Sequence, residues 1–149
     1  MKQALVFAGL ALGAGITIGT ACASAMDGYD PAVPTNIIYV DGADQRGRVG
    51  TALERPFLAR ITNQFGGPVA GVRVDWYILT GRGSLSDSTS ISDSEGMLCN
   101  TLRLGLYAEN IRVQAVVAGV SLSGSPLYFN STAVLAPDKG EGEPATCAP

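Results

Sequence analysis

The chain has 149 residues, 46% of them hydrophobic and only 15% charged, with no histidine and a formal net charge of −3. That length fits one ordinary domain, and the balance excludes both a disordered chain and a basic nucleic-acid-binding surface. Without histidine the commonest general base and the commonest metal ligand are both missing.

The first element in chain order is a targeting segment. Lys2 forms a short basic flank, and no charged residue follows until Asp27. Between them runs LVFAGLALGAGITIG and then TACASA, whose Ala23-Ser24-Ala25 has the small-x-small form of a cleavage site. Residues 1–25 are thus expected to be an export signal, with Met26 as the mature N-terminus. The uncharged run is also long enough for an uncleaved membrane span, but its small-residue ending favours cleavage. Residues 18–22, IGTAC, resemble a relaxed bacterial lipobox with Gly19 where leucine is usual. On that alternative the signal ends at residue 21 and Cys22 carries the lipid, the only membrane contact expected. Residues 26–35, MDGYDPAVPT, read as a linker.

Short period-2 runs follow: NIIYV (36–40), PFLARIT (56–62), VRVDWYI (72–78), LCNTLRL (98–104), NIRVQAVV (110–117) and PLYFNSTAV (126–134). Phe57, Ala59 and Ile61 are expected inward, with Leu58, Arg60 and Thr62 outward. Val72, Val74, Trp76 and Ile78 share an inward face, and Trp76 is the largest expected core side chain. FGGP, TGRGS, SDSEG, LYAEN and VSLSGS supply turns between the runs. Such strands at intervals of about ten residues read as an all-β, antiparallel sandwich over residues 36–136. In NQFGGPVAGVRVDW, Gly66-Gly67-Pro68 permits a positive φ and then fixes φ, which makes a tight corner, and Gly71 before the strand allows close backbone approach or a bulge. Residues 137–149, PDKGEGEPATCAP, read as a flexible tail.

Either N-terminal processing route leaves Cys99 and Cys147 as a possible disulfide in an oxidising compartment. The alternation puts Cys99 on the outer face, where a returning tail could reach it. Two free thiols or an intermolecular bridge are the alternatives.

These segments together resemble a bacterial immunoglobulin-like domain of the invasin/intimin type. The matching positions are Gln45, Gly47, Gly50, Leu53 and Pro56, then Gly66, Pro68, Val69, Gly71, Val72 and Val74, and then Gly81, Gly83, Ser84, Asp93, Gly96, Leu104, Gly105 and Phe129. Asn63, Gly67 and Ser92 depart from the pattern by turn-compatible exchanges. The resemblance implies an Ig-like fold and an extracytoplasmic structural or interaction module. It does not carry over receptor binding, which in such proteins belongs to a separate tip.

No catalytic constellation emerges. A serine nucleophile would have to rely on Lys139, the single lysine after the leader. Asp87, Asp93 and Glu95 could be imagined around calcium, but their spacing lacks the D-x-D-x-D-G order, and turn capping explains them better. No cofactor and no metal are expected. The arginines Arg46, Arg48, Arg55, Arg60, Arg73, Arg82, Arg103 and Arg112 are scattered singly and read as a solvated outer face. The functional expectation is a non-enzymatic, exported module for adhesion or for binding a protein or glycan. The alternative is a structural spacer without a ligand. Tyr77, Tyr107 and Tyr128 are the aromatics whose clustering would favour binding.

Overall fold

The structure is a computed structural model and describes residues 30–135 and 145–147. The export segment 1–25 with Cys22, the start of the linker, residue 136, and residues 137–144 and 148–149 of the tail lie outside the described residues. Ten strands and no helix make up the described chain.

The strands are β1 (Asn36–Asp41), β2 (Gln45–Arg48), β3 (Phe57–Thr62), β4 (Arg73–Thr80), β5 (Gly83–Leu85), β6 (Thr89–Ile91), β7 (Met97–Asn100), β8 (Leu102–Leu104), β9 (Asn110–Val117) and β10 (Leu127–Val134). They form a three-stranded sheet β1-β3-β7, a five-stranded sheet β2-β10-β9-β4-β6 and a separate β5-β8 ribbon. Two features depart from a purely antiparallel pair of sheets. β2 runs parallel to β10, pairing Arg46 with Thr132, and the β5-β8 ribbon belongs to neither larger sheet.

The alternating runs become strands because one face of each can be buried. Phe57, Ala59 and Ile61 are buried from β3, Val74 and Trp76 from β4, and Ile111, Val113, Ala115 and Val117 from β9. Phe129 on β10 joins the two larger sheets: its ring stacks on Phe57 at 4.8 Å and lies 5.7 Å from both Trp76 and Tyr39. Full burial of each such side chain stabilises by roughly 2–3 kcal/mol. Trp76 also donates its indole N–H to Ser90 Oγ at 2.8 Å, so its one polar group enters the core with a partner.

Three sequence expectations need correction. The run LCNTLRL is not one strand: it breaks at Thr101, and its halves join different sheets as β7 and β8. The break follows from Asn100, fully buried, which accepts from Ser86 Oγ and donates to the Asp87 carbonyl at 2.7 Å, fixing the chain to the 86–87 loop. Thr62, expected outward, is buried, because its carbonyl accepts from Thr35 N while Pro68 bridges its other side. Val72 and Ile78 are only partly buried at the two ends of the inward face of β4. A bulge at Leu79 ends the regular pairing of β4 with β9, since Ile78 pairs with Val113 and Thr80 with Arg112.

Candidate functional site

The turn residues singled out in the sequence converge in space. Gly66 and Gly71 adopt φ of +79° and +77°, and Gly96 adopts +73°. Gly71 does not serve the close approach expected from the sequence, since a Cβ there would meet nothing within 4 Å; its left-handed backbone is what calls for glycine. Asn63 Oδ1 accepts from Phe65 N and Gly67 N at 3.0 and 2.9 Å, closing the corner that Gly66 turns. Pro68 then bridges Thr62, and Val69 N donates to the Ile61 carbonyl. Ser92 ties the segment leaving this corner: its hydroxyl donates to the Val69 carbonyl at 2.8 Å and accepts from Val72 N at 2.9 Å. Asp93 Oδ1 accepts from both Glu95 N and Met97 N at 2.8 Å, so its carboxylate caps the turn into β7. Gly96 sits against the Ile61 carbonyl, where a Cβ would overlap it. Gly66, Pro68, Gly71, Asp93 and Gly96 thus form one knot that carries the chain between the two larger sheets. Among the described residues, no group of three carboxylates or cysteines lies close enough to hold a metal ion.

Cys99 and Cys147 are joined, with their Cα atoms 5.7 Å apart and 48 positions apart in sequence. Cys99 pairs with Leu58 on the outer face of the three-stranded sheet. The returning tail is held a second time where Ala145 N donates to the Leu53 carbonyl at 3.0 Å.

The tyrosines divide. Tyr77 on β4 and Tyr128 on β10 both pair with Gln114 of β9, so they share one row on the outer face of the five-stranded sheet. Two strand spacings put them roughly 10 Å apart. Tyr77 is 52% and Tyr128 39% exposed. Tyr107 lies elsewhere, in the loop before β9, with the Arg82 guanidinium 4.5 Å from its ring centre.

Beside this row lies a cleft of about 440 Å³ that the sequence reading did not identify. Its lining includes Asp44, Arg46, Asn110, Arg112, Asn130 and Thr132. The Arg112 guanidinium is stacked over the Tyr128 ring at 4.2 Å, which fixes it above the sheet at the cleft's edge. Asn110 accepts from Thr132 Oγ1 at 3.1 Å, leaving its amide N–H groups free to donate. Arg46 on β2 and Asn130 on β10 face the cleft from neighbouring strands. Asp44 has φ +56°, the one non-glycine residue in the left-handed region among those described, and its N–H is held by the Asn130 carbonyl at 2.7 Å. Aspartate is one of the few residue types that tolerate this backbone, which suits the turn into β2. Farther along the same face, the Thr89 hydroxyl bond and the neighbouring Arg73 hold the Asp75 carboxyl below the ordinary carboxylate range.

No protein-family model and no curated protein matches this sequence. Solved structures do resemble the fold. The D0-D1 domains of intimin superpose with a TM-score of 0.53 and 21% identity, over 68% of this chain and 48% of that one. The Yersinia pseudotuberculosis adhesin InvE gives 0.52 and 15% identity, over 67% of this chain and 32% of that one. Domains 4 and 5 of the S-layer protein SbsC give 0.51 and 13% identity, over 68% of this chain and 53% of that one. The chain therefore spans about half the length of the intimin structure it matches. The order of strands, the glycine-and-proline corner and these superpositions agree that the described chain has the fold of the Ig-like domains of intimin and InvE.

Proposed function

We propose that this chain is an Ig-like sandwich of the invasin/intimin family that works as an exported, non-enzymatic interaction module of a bacterial cell envelope. The observation that carries the interaction reading is the outer face of the five-stranded sheet. It presents Tyr77, Tyr128 and Arg112, residue types enriched at binding hot spots, beside a polar cleft. No cofactor and no nucleic acid enter this reading. Its fold alone does not carry the function, because the same fold occurs in an adhesin and in an S-layer protein.

The Cys99–Cys147 bond supports an oxidising, extracytoplasmic compartment. Export leaves two processed forms open, a chain starting at Met26 and a lipoprotein starting at acylated Cys22. Intact mass of the protein from separated membrane and soluble fractions distinguishes them, and a chain retaining residues 1–25 would refute cleavage.

The second reading, a spacer without a ligand, rests on the solved neighbours being parts of multidomain chains. Cross-linking capture from envelope extract and from extracellular glycoprotein, run with the wild type and a Tyr77→Ala/Arg112→Ala variant, separates the two. A partner retained by the wild type and lost by the variant supports the interaction module. Identical profiles refute it in favour of the spacer.

A further inference from the structure

We propose that the cleft bordered by Arg46, Arg112 and Asp44 binds an acidic glycan whose sugar ring carries a carboxylate. The inference deepens the interaction reading given above and rests on it.

Arg46 pairs with Thr132 and Arg112 with Asn130, so the two arginines flank β10 from opposite sides, two residues apart along it. Strand spacing and rise place their Cα atoms roughly 12 Å apart, and both face the same cleft, Arg112 toward its Tyr128 end and Arg46 at its Thr132 end. A glycan lying along β10 with carboxylates on its sugars would meet one guanidinium at each end, each able to form charge-assisted, fork-shaped hydrogen bonds. Tyr128 holds the Arg112 guanidinium in a fixed plane, which reduces the freedom lost when the ligand binds.

The remaining lining suits hydroxyl groups. Asn110 and Asn130 offer amide donors, Thr80 and Thr132 offer hydroxyls, and Asp44 offers an acceptor. Tyr77, exposed in the same row as Tyr128, offers an aromatic face to the apolar side of a second sugar ring. The number of amide and hydroxyl groups in the lining favours a glycan over an acidic peptide, because a uronate ring presents several hydroxyls around its carboxylate and an acidic side chain presents none.

The test uses the exported full chain with its disulfide intact. Isothermal calorimetry is run against tetragalacturonate and a hyaluronan oligosaccharide, with a neutral galactose tetrasaccharide and a tetraglutamate peptide for comparison. At least one of the two uronate glycans should bind, and should bind at least tenfold more tightly than both comparison compounds. Arg46→Ala and Arg112→Ala should each weaken it at least tenfold. Arg112→Lys should weaken it less than Arg112→Ala, and Tyr107→Ala on its separate loop should leave it unchanged. Raising salt should weaken binding. These are surface positions, and the Trp76 fluorescence melt confirms that each variant is folded. The inference is overturned if neither uronate glycan binds, if the peptide or neutral sugar binds as well, or if Arg46→Ala and Arg112→Ala bind like the wild type. If the glycans fail while the Tyr77→Ala/Arg112→Ala variant still loses a captured partner, the interaction reading stands and only the ligand class is refuted.

Discussion

Replacing Gly96 by alanine isolates the contribution of one close backbone approach. Gly66, Gly71 and Gly96 have nearly the same φ, at +79°, +77° and +73°. A Cβ on Gly66 or Gly71 would meet nothing within 4 Å, so alanine there carries only the left-handed penalty of about 1 kcal/mol. A Cβ on Gly96 would overlap the Ile61 carbonyl oxygen and approach Val69 N to 3.1 Å and Pro68 Cα to 3.4 Å. All three neighbours are backbone atoms, which cannot rotate away as a side chain can. Relief has to open the Ile61 N to Gly96 carbonyl bond, 2.8 Å, and the Val69 N to Ile61 carbonyl bond, 3.1 Å. At about 1 kcal/mol net for each bond, Gly96→Ala should lose about 3 kcal/mol in all, and Gly71→Ala about 1. For a domain of roughly 100 residues that corresponds to a Tm lower by about 15 °C against about 5 °C. Urea unfolding followed by Trp76 fluorescence measures both, and equal m-values ensure that the same transition is compared. If Gly96→Ala lies within about 0.5 kcal/mol of Gly71→Ala, the close-approach argument is wrong and only φ matters.

Cleaving the Cys99–Cys147 bond, by reductant or by Cys99→Ser, should destabilise the domain by about 2–4 kcal/mol, because the unfolded chain regains the freedom that the closed 48-residue loop removes. A reduced sample melting with the oxidised one would refute this. Ser90→Ala leaves the buried Trp76 indole N–H without its acceptor and should cost about 1–2 kcal/mol, whereas Ser86→Thr keeps the hydroxyl that bonds Asn100 and should cost less; denaturant melts of the two variants decide. Because the folded state holds the Asp75 carboxyl below its ordinary range, that group's contribution is fully present above about pH 4 and is lost as the pH falls through its folded pKa. Asp75→Asn should therefore flatten the decline of Tm below about pH 4, and an unchanged acid limb would refute the assignment.

The long strands were readable because their side chains alternate, and NIRVQAVV becomes β9 with its boundaries unchanged. The strands the sequence did not announce are polar or very short. QRGR of β2 has no apolar face; its one buried side chain is Gln45, which bonds the backbone of Arg55 through both its oxygen and its nitrogen. TSI of β6 has only three residues, and Ile91 is exposed. Such strands form because a paired neighbour offers backbone groups, and a side-chain pattern cannot reveal that. The turn knot was readable for the opposite reason: positive φ, fixed φ and side-chain capping restrict residue type strongly. The cleft was not. Arg46 and Arg112 look scattered in the sequence, and only the parallel register of β2 with β10 and the antiparallel register of β9 bring them to one face.

That register also assigns different work to the two sides of the domain. On the three-stranded sheet, the row Ile38, Arg60 and Met97 and the pair Leu58 and Cys99 face outward, and Arg60 donates to the Glu95 carbonyl at 2.9 Å. The disulfide fastens the tail to β7, an edge strand of that sheet, with a second tie at Leu53. The open edge of β1 is interrupted by a bulge at Val40 and by the bridge from Asn36 to Ser123, both of which obstruct strand addition by another chain. These devices stabilise and guard the three-stranded side. The five-stranded side has a different character: its outward row keeps Tyr77 exposed, and Arg112 lies stacked over Tyr128. On the interaction reading proposed above, the stacking of Arg112 over Tyr128 limits the side-chain freedom lost when a ligand binds, whereas on the spacer reading the same stack contributes only to local order.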